Sequence, residues 1–141
     1  MKETPIKNYI KYLFGVAILV FVLNKYDLKP WVLANDARDA LAIFVFSIPN
    51  LVEAIVGTLI ITGILFQTKD YFKARFGHIK DIYIHVLAVS MASIYVLMQE
   101  LKFHNLGGNN IYDPYDVLAS IVGLVFTFSM IQWVGFKKFN D

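Results

Sequence analysis

The chain contains no cysteine, which removes disulfides, thiolate metal sites and thiol nucleophiles and leaves the redox compartment unmarked. Charge is scarce as well. Asp, Glu, Lys and Arg make up 17% of the 141 residues and the net charge is only +2, so no basic helix interleaved with aromatics forms and nucleic acid is not an expected partner. No internal repeat or low-complexity tract is present. Gly107-Gly108 lacks the following Gly-Lys-Ser/Thr of a phosphate loop, and no serine sits in a GxSxG context. The acidic residues match neither an EF-hand loop nor HExxH. The sequence therefore names no catalytic residue, no metal and no cofactor.

Apolar residues are what the chain has in abundance. It is 57% hydrophobic and 16% aromatic, with a positive mean hydropathy, a composition outside the soluble range. Four segments, 9–24, 41–66, 82–101 and 117–136, are apolar enough to cross a bilayer, against the requirement of about 20 residues for about 30 Å of hydrocarbon. Lipid cannot hydrogen-bond to backbone, and no ten-residue alternating pattern repeats, so the spans should be helices. The expected fold is an all-α membrane protein, a single four-helix transmembrane domain over 1–141.

The first segment has a basic start at Lys2, Lys7 and Lys11 but no small-x-small cleavage site before Asn24, so it reads as a retained helix rather than a signal peptide. The second is interrupted by Ser47-Ile48-Pro49-Asn50. Two readings stay open: one tilted, Pro-kinked helix, or a short interfacial helix followed by a span capped by Asn50 with Glu53 at capping-box spacing.

Nine of the thirteen Lys and Arg residues fall in the N-terminal start, the 67–81 loop and the C-terminal tail. The positive-inside rule then predicts both termini in the cytoplasm of a bacterial-type inner membrane, with 25–40 and 102–116 facing outward. Tyr9, Tyr12, Tyr83 and Trp133 at one boundary, and Tyr26, Trp31, Tyr112 and Tyr115 at the other, read as headgroup anchors. The basic, aromatic stretch 67–81 should lie on an anionic leaflet. Gly57, Gly63, Ala88, Ala92, Ser93, Ala119 and Gly123 offer small surfaces for helix packing, and His85 reads as a hydrogen-bonded packing residue.

The polar residues inside and between the spans are the candidate site. A carboxylate at Glu53, near mid-span, costs roughly 2.5–3.5 kcal/mol on insertion scales. Either it caps a helix or stays protonated in a polar pocket, or it lines a water-accessible cavity opening outward. Gln99, Glu100 and His104 close the third span, with Glu100 and His104 on one face if the helix continues. Gly107 and Gly108 end it, Asn109 and Asn110 suit the turn, and Asp113 precedes Pro114. Asp116 has the character of an N-cap for the fourth helix. A well-built corner explains much of this, and a convergence of Asn50, Glu53, Gln99, Glu100, His104, Asp113 and Asp116 at an outer mouth explains the rest.

Residues 100–123 combine a carboxylate at a helix end, a polar Gly/Asn loop, Asp113 and then Asp116-Val-Leu-Ala-Ser120-Ile-Val-Gly123. This resembles the VanZ-like family of small multi-helix membrane proteins, with Asp116 at the family Asp and Gly123 at the family Gly. Ser120 replaces the family Asn, Asn109 or Asn110 stands near the place of its loop Arg, and Gln99 precedes Glu100 where the family has the reverse order. The Asp-Lys-x-x-His pattern of an earlier family helix is absent, leaving Asn50 and Glu53. The resemblance implies envelope work of the kind linked to tolerance of glycopeptide antibiotics, such as binding or processing a lipid-linked component. An accessory subunit or assembly factor of a membrane complex, or a small transporter, are the alternatives the residues leave open.

Overall fold

The computed structural model describes residues 6–35, 39–100 and 114–137, and these form helices without a strand. Helix α1 runs Asn8–Leu23, a π-helical turn covers Asn24–Leu28 and α2 covers Lys29–Ala34. Then follow α3 at Asp39–Tyr71, the single turn α4 at Lys73–Phe76, α5 at Asp81–Glu100 and α6 at Pro114–Val134. Four stretches are long and apolar enough to cross a membrane: Asn8–Ala34, Ala40–Tyr71, Asp81–Gln99 and Pro114–Val134. The chain is an all-α protein of membrane-spanning type, and lipid is its surrounding medium.

One boundary differs from the sequence expectation, and one open alternative is decided. Residues 25–34 were expected in a loop but remain helical: a π-helical turn carries α1 directly into α2, and Pro30 stands in the first turn after it. The second span is one uninterrupted helix with Pro49 inside it. Asn50 and Glu53 are therefore interior helix positions and not a capping box. At 33 residues α3 is about 50 Å long and overreaches the hydrocarbon, so it tilts or projects.

Helix α3 is the axis of the bundle. It packs against α1, α5 and α6, while α5 and α6 also pack on each other. The core along it joins Ile48, Val52, Ile55, Leu59 and Phe66 to Ile10 and Ala17 of α1, Ile84 of α5 and Ile131 of α6. A second cluster ties Ala54, Ala92 and Leu124, one residue from each of α3, α5 and α6. Small side chains at that junction let the three backbones approach, which substitutes for the hydrophobic drive that lipid does not supply. A Cβ on Gly123 would stand 2.8 Å from the Leu51 carbonyl oxygen and 2.9 Å from the Ala54 Cβ. Glycine is the residue that fits. Gly57 and Gly63 do not share this role: a Cβ on Gly57 meets nothing within 4 Å, and one on Gly63 meets only the Phe136 ring at 3.7 Å.

Hydroxyls inside the bundle bond backward along their own helices. Thr58 Oγ1 donates to the Ala54 carbonyl at 2.7 Å, Thr62 Oγ1 to Thr58 at 2.6 Å and Thr127 Oγ1 to Gly123 at 2.8 Å. This is the least costly way to bury a hydroxyl where no water is present.

The two described chain ends meet at one end of the bundle, hereafter the base. Ile6 and Lys137 form an antiparallel bridge, and the Lys7 N–H donates to the Phe136 carbonyl at 3.0 Å. Lys7 Nζ donates to the Val134 carbonyl and the Tyr9 hydroxyl to the Gly135 carbonyl. Tyr9, expected as a headgroup anchor, is instead a half-buried tie between α1 and α6. Tyr12, Tyr83 and Trp133 at the base, and Tyr26, Trp31 and Tyr115 at the far end, are exposed and suit the anchor role.

Candidate functional site

Several charged groups at the base are paired. Lys137 Nζ lies 2.6 Å from Asp70 Oδ1 and Lys69 Nζ 3.0 Å from Asp81 Oδ1, linking the end of α3 to the α6 exit and the α5 start. Lys137 also sits over the Phe66 ring at 5.2 Å, and Phe66 stacks on Phe136 at 5.4 Å. Buried His85 packs edge-on to Phe66 and shares a hydrogen bond between Nδ1 and Gln132 Oε1.

The far half of the bundle is different. Asn24, in the π turn, is fully buried and neither its Oδ1 nor its Nδ2 has a partner among the described residues. Ser120 on α6 is also fully buried, and its Oγ lacks a partner, unlike Thr58, Thr62 and Thr127. Buried polar groups are normally satisfied, so each such exception asks for an explanation. Apart from His85 Nε2, the unsatisfied buried groups belong to the half of the molecule away from the base.

Asp116 is one turn before Ser120, in the first turn of α6 behind Pro114. It is an interior first-turn residue rather than the N-cap expected from the sequence, since Pro114 opens the helix. An acid there still complements the helix dipole. The residue is half-buried, with Oδ1 shielded from solvent. Beside it, Tyr115, Leu118, Ala119 and Val122 of α6 face Ala40, Phe44, Ser47 and Leu51 of α3 across an apolar cleft of about 300 Å³.

Asn50 and Glu53 are half-buried on α3. Neither makes a hydrogen bond or ion pair among the described residues. Seven-residue spacing puts Glu53 on one stripe with Phe46 and Ile60, which are 40% and 46% exposed. Glu53 thus stands at the edge of the lipid-facing surface, and it does not line the α3–α6 cleft. Gln99 is exposed at the end of α5, where its Nε2 donates to the Tyr95 hydroxyl at 2.9 Å. The Glu100 backbone closes α5, while its side chain, and all of His104 and Asp113, lie outside the described residues.

Among the described residues no three His, Asp or Glu side chains gather as a metal site requires. The fold sets Asp116 and Ser120 one turn apart on the face of α6 that also carries Gly123 and Thr127, whereas Tyr115, Leu118, Ala119 and Val122 line the α3–α6 cleft, and Glu53 stands apart on an outward stripe. Sequence reading missed Asn24, because an Asn at the end of an apolar span looks like an exit to water. It noticed Ser120 only as a replacement in a motif. The signal available for both was a polar residue in helical register with apolar neighbours. No family model, curated protein or solved structure matches the chain.

Proposed function

We propose that the chain is a small polytopic protein of a bacterial-type inner membrane, with cytoplasmic termini, whose outward half binds a lipid-linked envelope component. The observations that carry this reading are the buried, unpartnered Ser120 hydroxyl one turn from Asp116 on the bundle-facing side of α6, and an apolar cleft between α3 and α6 lined by a different side of the same turns of α6. An apolar cleft with a few convergent polar groups is what an amphiphile requires. The acyl or prenyl portion takes the cleft, and half-buried Asp116 at its outward end is proposed to meet the polar head, with the buried Ser120 hydroxyl one turn deeper behind it. Gln99, Glu100, His104 and Asp113 belong to the same outward end of the sequence and are proposed to complete the headgroup contacts. The VanZ-like pattern puts its Asp, its Asn-equivalent Ser120 and its Gly123 on one side of α6, the side turned into the bundle.

Complementation tests the reading. Asp116→Asn and Ser120→Ala are each expected to fail to rescue a deletion phenotype while reaching the same membrane abundance as the unaltered protein. Full rescue by both variants rejects the site.

A second reading, as subunit of a membrane complex, is favoured by Glu53 alone. A carboxyl group on the lipid-facing edge without a partner of its own suits a neighbouring helix that offers a donor. A stoichiometric partner recovered in mild detergent and lost in Glu53→Leu supports this. Unchanged recovery in that variant removes Glu53 from the contact.

A further inference from the structure

The base carries a second opening that the outward site does not use. Between α1 and α3 lies a groove of about 540 Å³, lined by Ile10, Lys11 and Phe14 on one wall and Leu59, Ile60 and Gln67 on the other. Lys11 and Gln67 stand toward the base together with the apolar Ile6 and Phe136, and Phe14, Leu59 and Ile60 run inward. From Gln67 to Leu59 the α3 wall extends about 12 Å at the helical rise, most of the ~15 Å that one leaflet's hydrocarbon contributes. Gly63 forms part of the lining, and the absence of its side chain leaves the channel open.

Charge at the mouth is also arranged for a ligand. Lys7, one turn before Lys11, is committed to the Val134 carbonyl, and Lys69 and Lys137 are committed to Asp81 and Asp70. Lys11 is exposed and has no ion pair or hydrogen bond among the described residues. The Gln67 amide supplies a second polar group on the opposite wall.

We propose that this groove is a binding site for an anionic phospholipid of the leaflet at the base. One acyl chain lies along Leu59, Ile60 and Phe14, and the phosphate is held by Lys11 Nζ with the Gln67 amide. The site has a different place and a different ligand from the outward cleft, so either stands without the other.

The full chain in non-ionic detergent, presented with equal amounts of phosphatidylglycerol and phosphatidylcholine of identical acyl chains, provides the test when retained lipid is counted by native mass spectrometry. The unaltered protein is expected to retain phosphatidylglycerol about fivefold over phosphatidylcholine. Lys11→Gln is expected to bring that ratio near parity while a lipid is still retained. Ile60→Trp, an exposed groove position whose change leaves the core intact, and Gly63→Leu are expected to lower retention of both lipids. Lys80→Gln, an exposed cation that does not line the groove, is expected to change nothing. Equal retention by the unaltered protein, a ratio unmoved in Lys11→Gln, a ratio lost equally in Lys80→Gln, or retention unmoved in Ile60→Trp each overturns the proposal.

Discussion

Gly123 shows how much one missing methyl group decides. Its place against the Leu51 carbonyl and Ala54 leaves no space for a Cβ, so Gly123→Ala must push α3 and α6 apart. The expected loss is about 1–3 kcal/mol, the usual cost of overpacking, read by unfolding in mixed micelles. Gly63→Ala, with only an ordinary contact to Phe136, should be neutral or slightly stabilising through helix propensity. From sequence the two glycines looked alike, since each sits in an apolar helical run. Which of them meets a neighbouring backbone depends on how α3 and α6 are rotated, and a weakly amphipathic span does not encode that rotation legibly. Ser120 gives a complementary case. Its hydroxyl is buried without a partner, so Ser120→Ala removes a desolvated group and should leave stability unchanged or raise it by up to about 1 kcal/mol. Loss of function in a variant that is no less stable separates a binding role from a packing role. A stability loss above about 1 kcal/mol would mean that the hydroxyl has a structural partner after all.

Among the elements, α1 is held mainly at its start and along α3. Its packing partner among the long helices is α3, and its first turn is fastened to the α6 exit by Lys7 and Tyr9. Gly135 makes this fastening feasible: it ends α6 at φ +89°, a left-handed residue of the kind that commonly closes helices, and turns its carbonyl toward Tyr9. Tyr9→Phe leaves that carbonyl without its donor, at a cost of about 0.5–1.5 kcal/mol. The effect should be local, so hydrogen exchange should rise in the first turn of α1 and at Gly135 and stay unchanged in the middle of α5. A uniform rise would mean that α1 is not a separable element. The existence and rough extent of four spans were legible because apolar length is a strong signal. The fastening was not, because it joins residues 6–9 to 134–137 and a tyrosine at a span boundary also has the profile of an anchor. Pro49 was legible as a disturbance and not as its outcome: both a kink and a break satisfy its missing N–H. The packing of residues around it on α3, from Val45 to Ala54, favours the continuous helix.

For the whole molecule, the decisive property is an asymmetry between its two ends. At the base Lys7, Lys69 and Lys137 are committed to the protein's own structure, whereas Asn24, Asn50, Glu53 and Ser120 of the far half have no side-chain partner among the described residues. Lys69, Lys73, Arg75, Lys80 and Lys137 also gather at the base, which the positive-inside rule assigns to the cytoplasm. The outward direction of the proposed envelope site rests on that assignment, and the absence of native cysteine makes it directly measurable with single introduced thiols. Asn35→Cys, at the exposed end of α2, is expected to react in intact cells with a maleimide that does not cross membranes. Lys80→Cys, exposed between α4 and α5, is expected to react only after permeabilisation. The opposite pattern would turn Asp116, Ser120 and the α3–α6 cleft toward the cytoplasm, and a lipid-linked component displayed on the outer leaflet would then be out of their reach. The anionic-lipid groove would survive that inversion as a site in the other leaflet, because Lys11 and Gln67 read phosphate charge and the apolar walls read an acyl chain regardless of the side on which they stand.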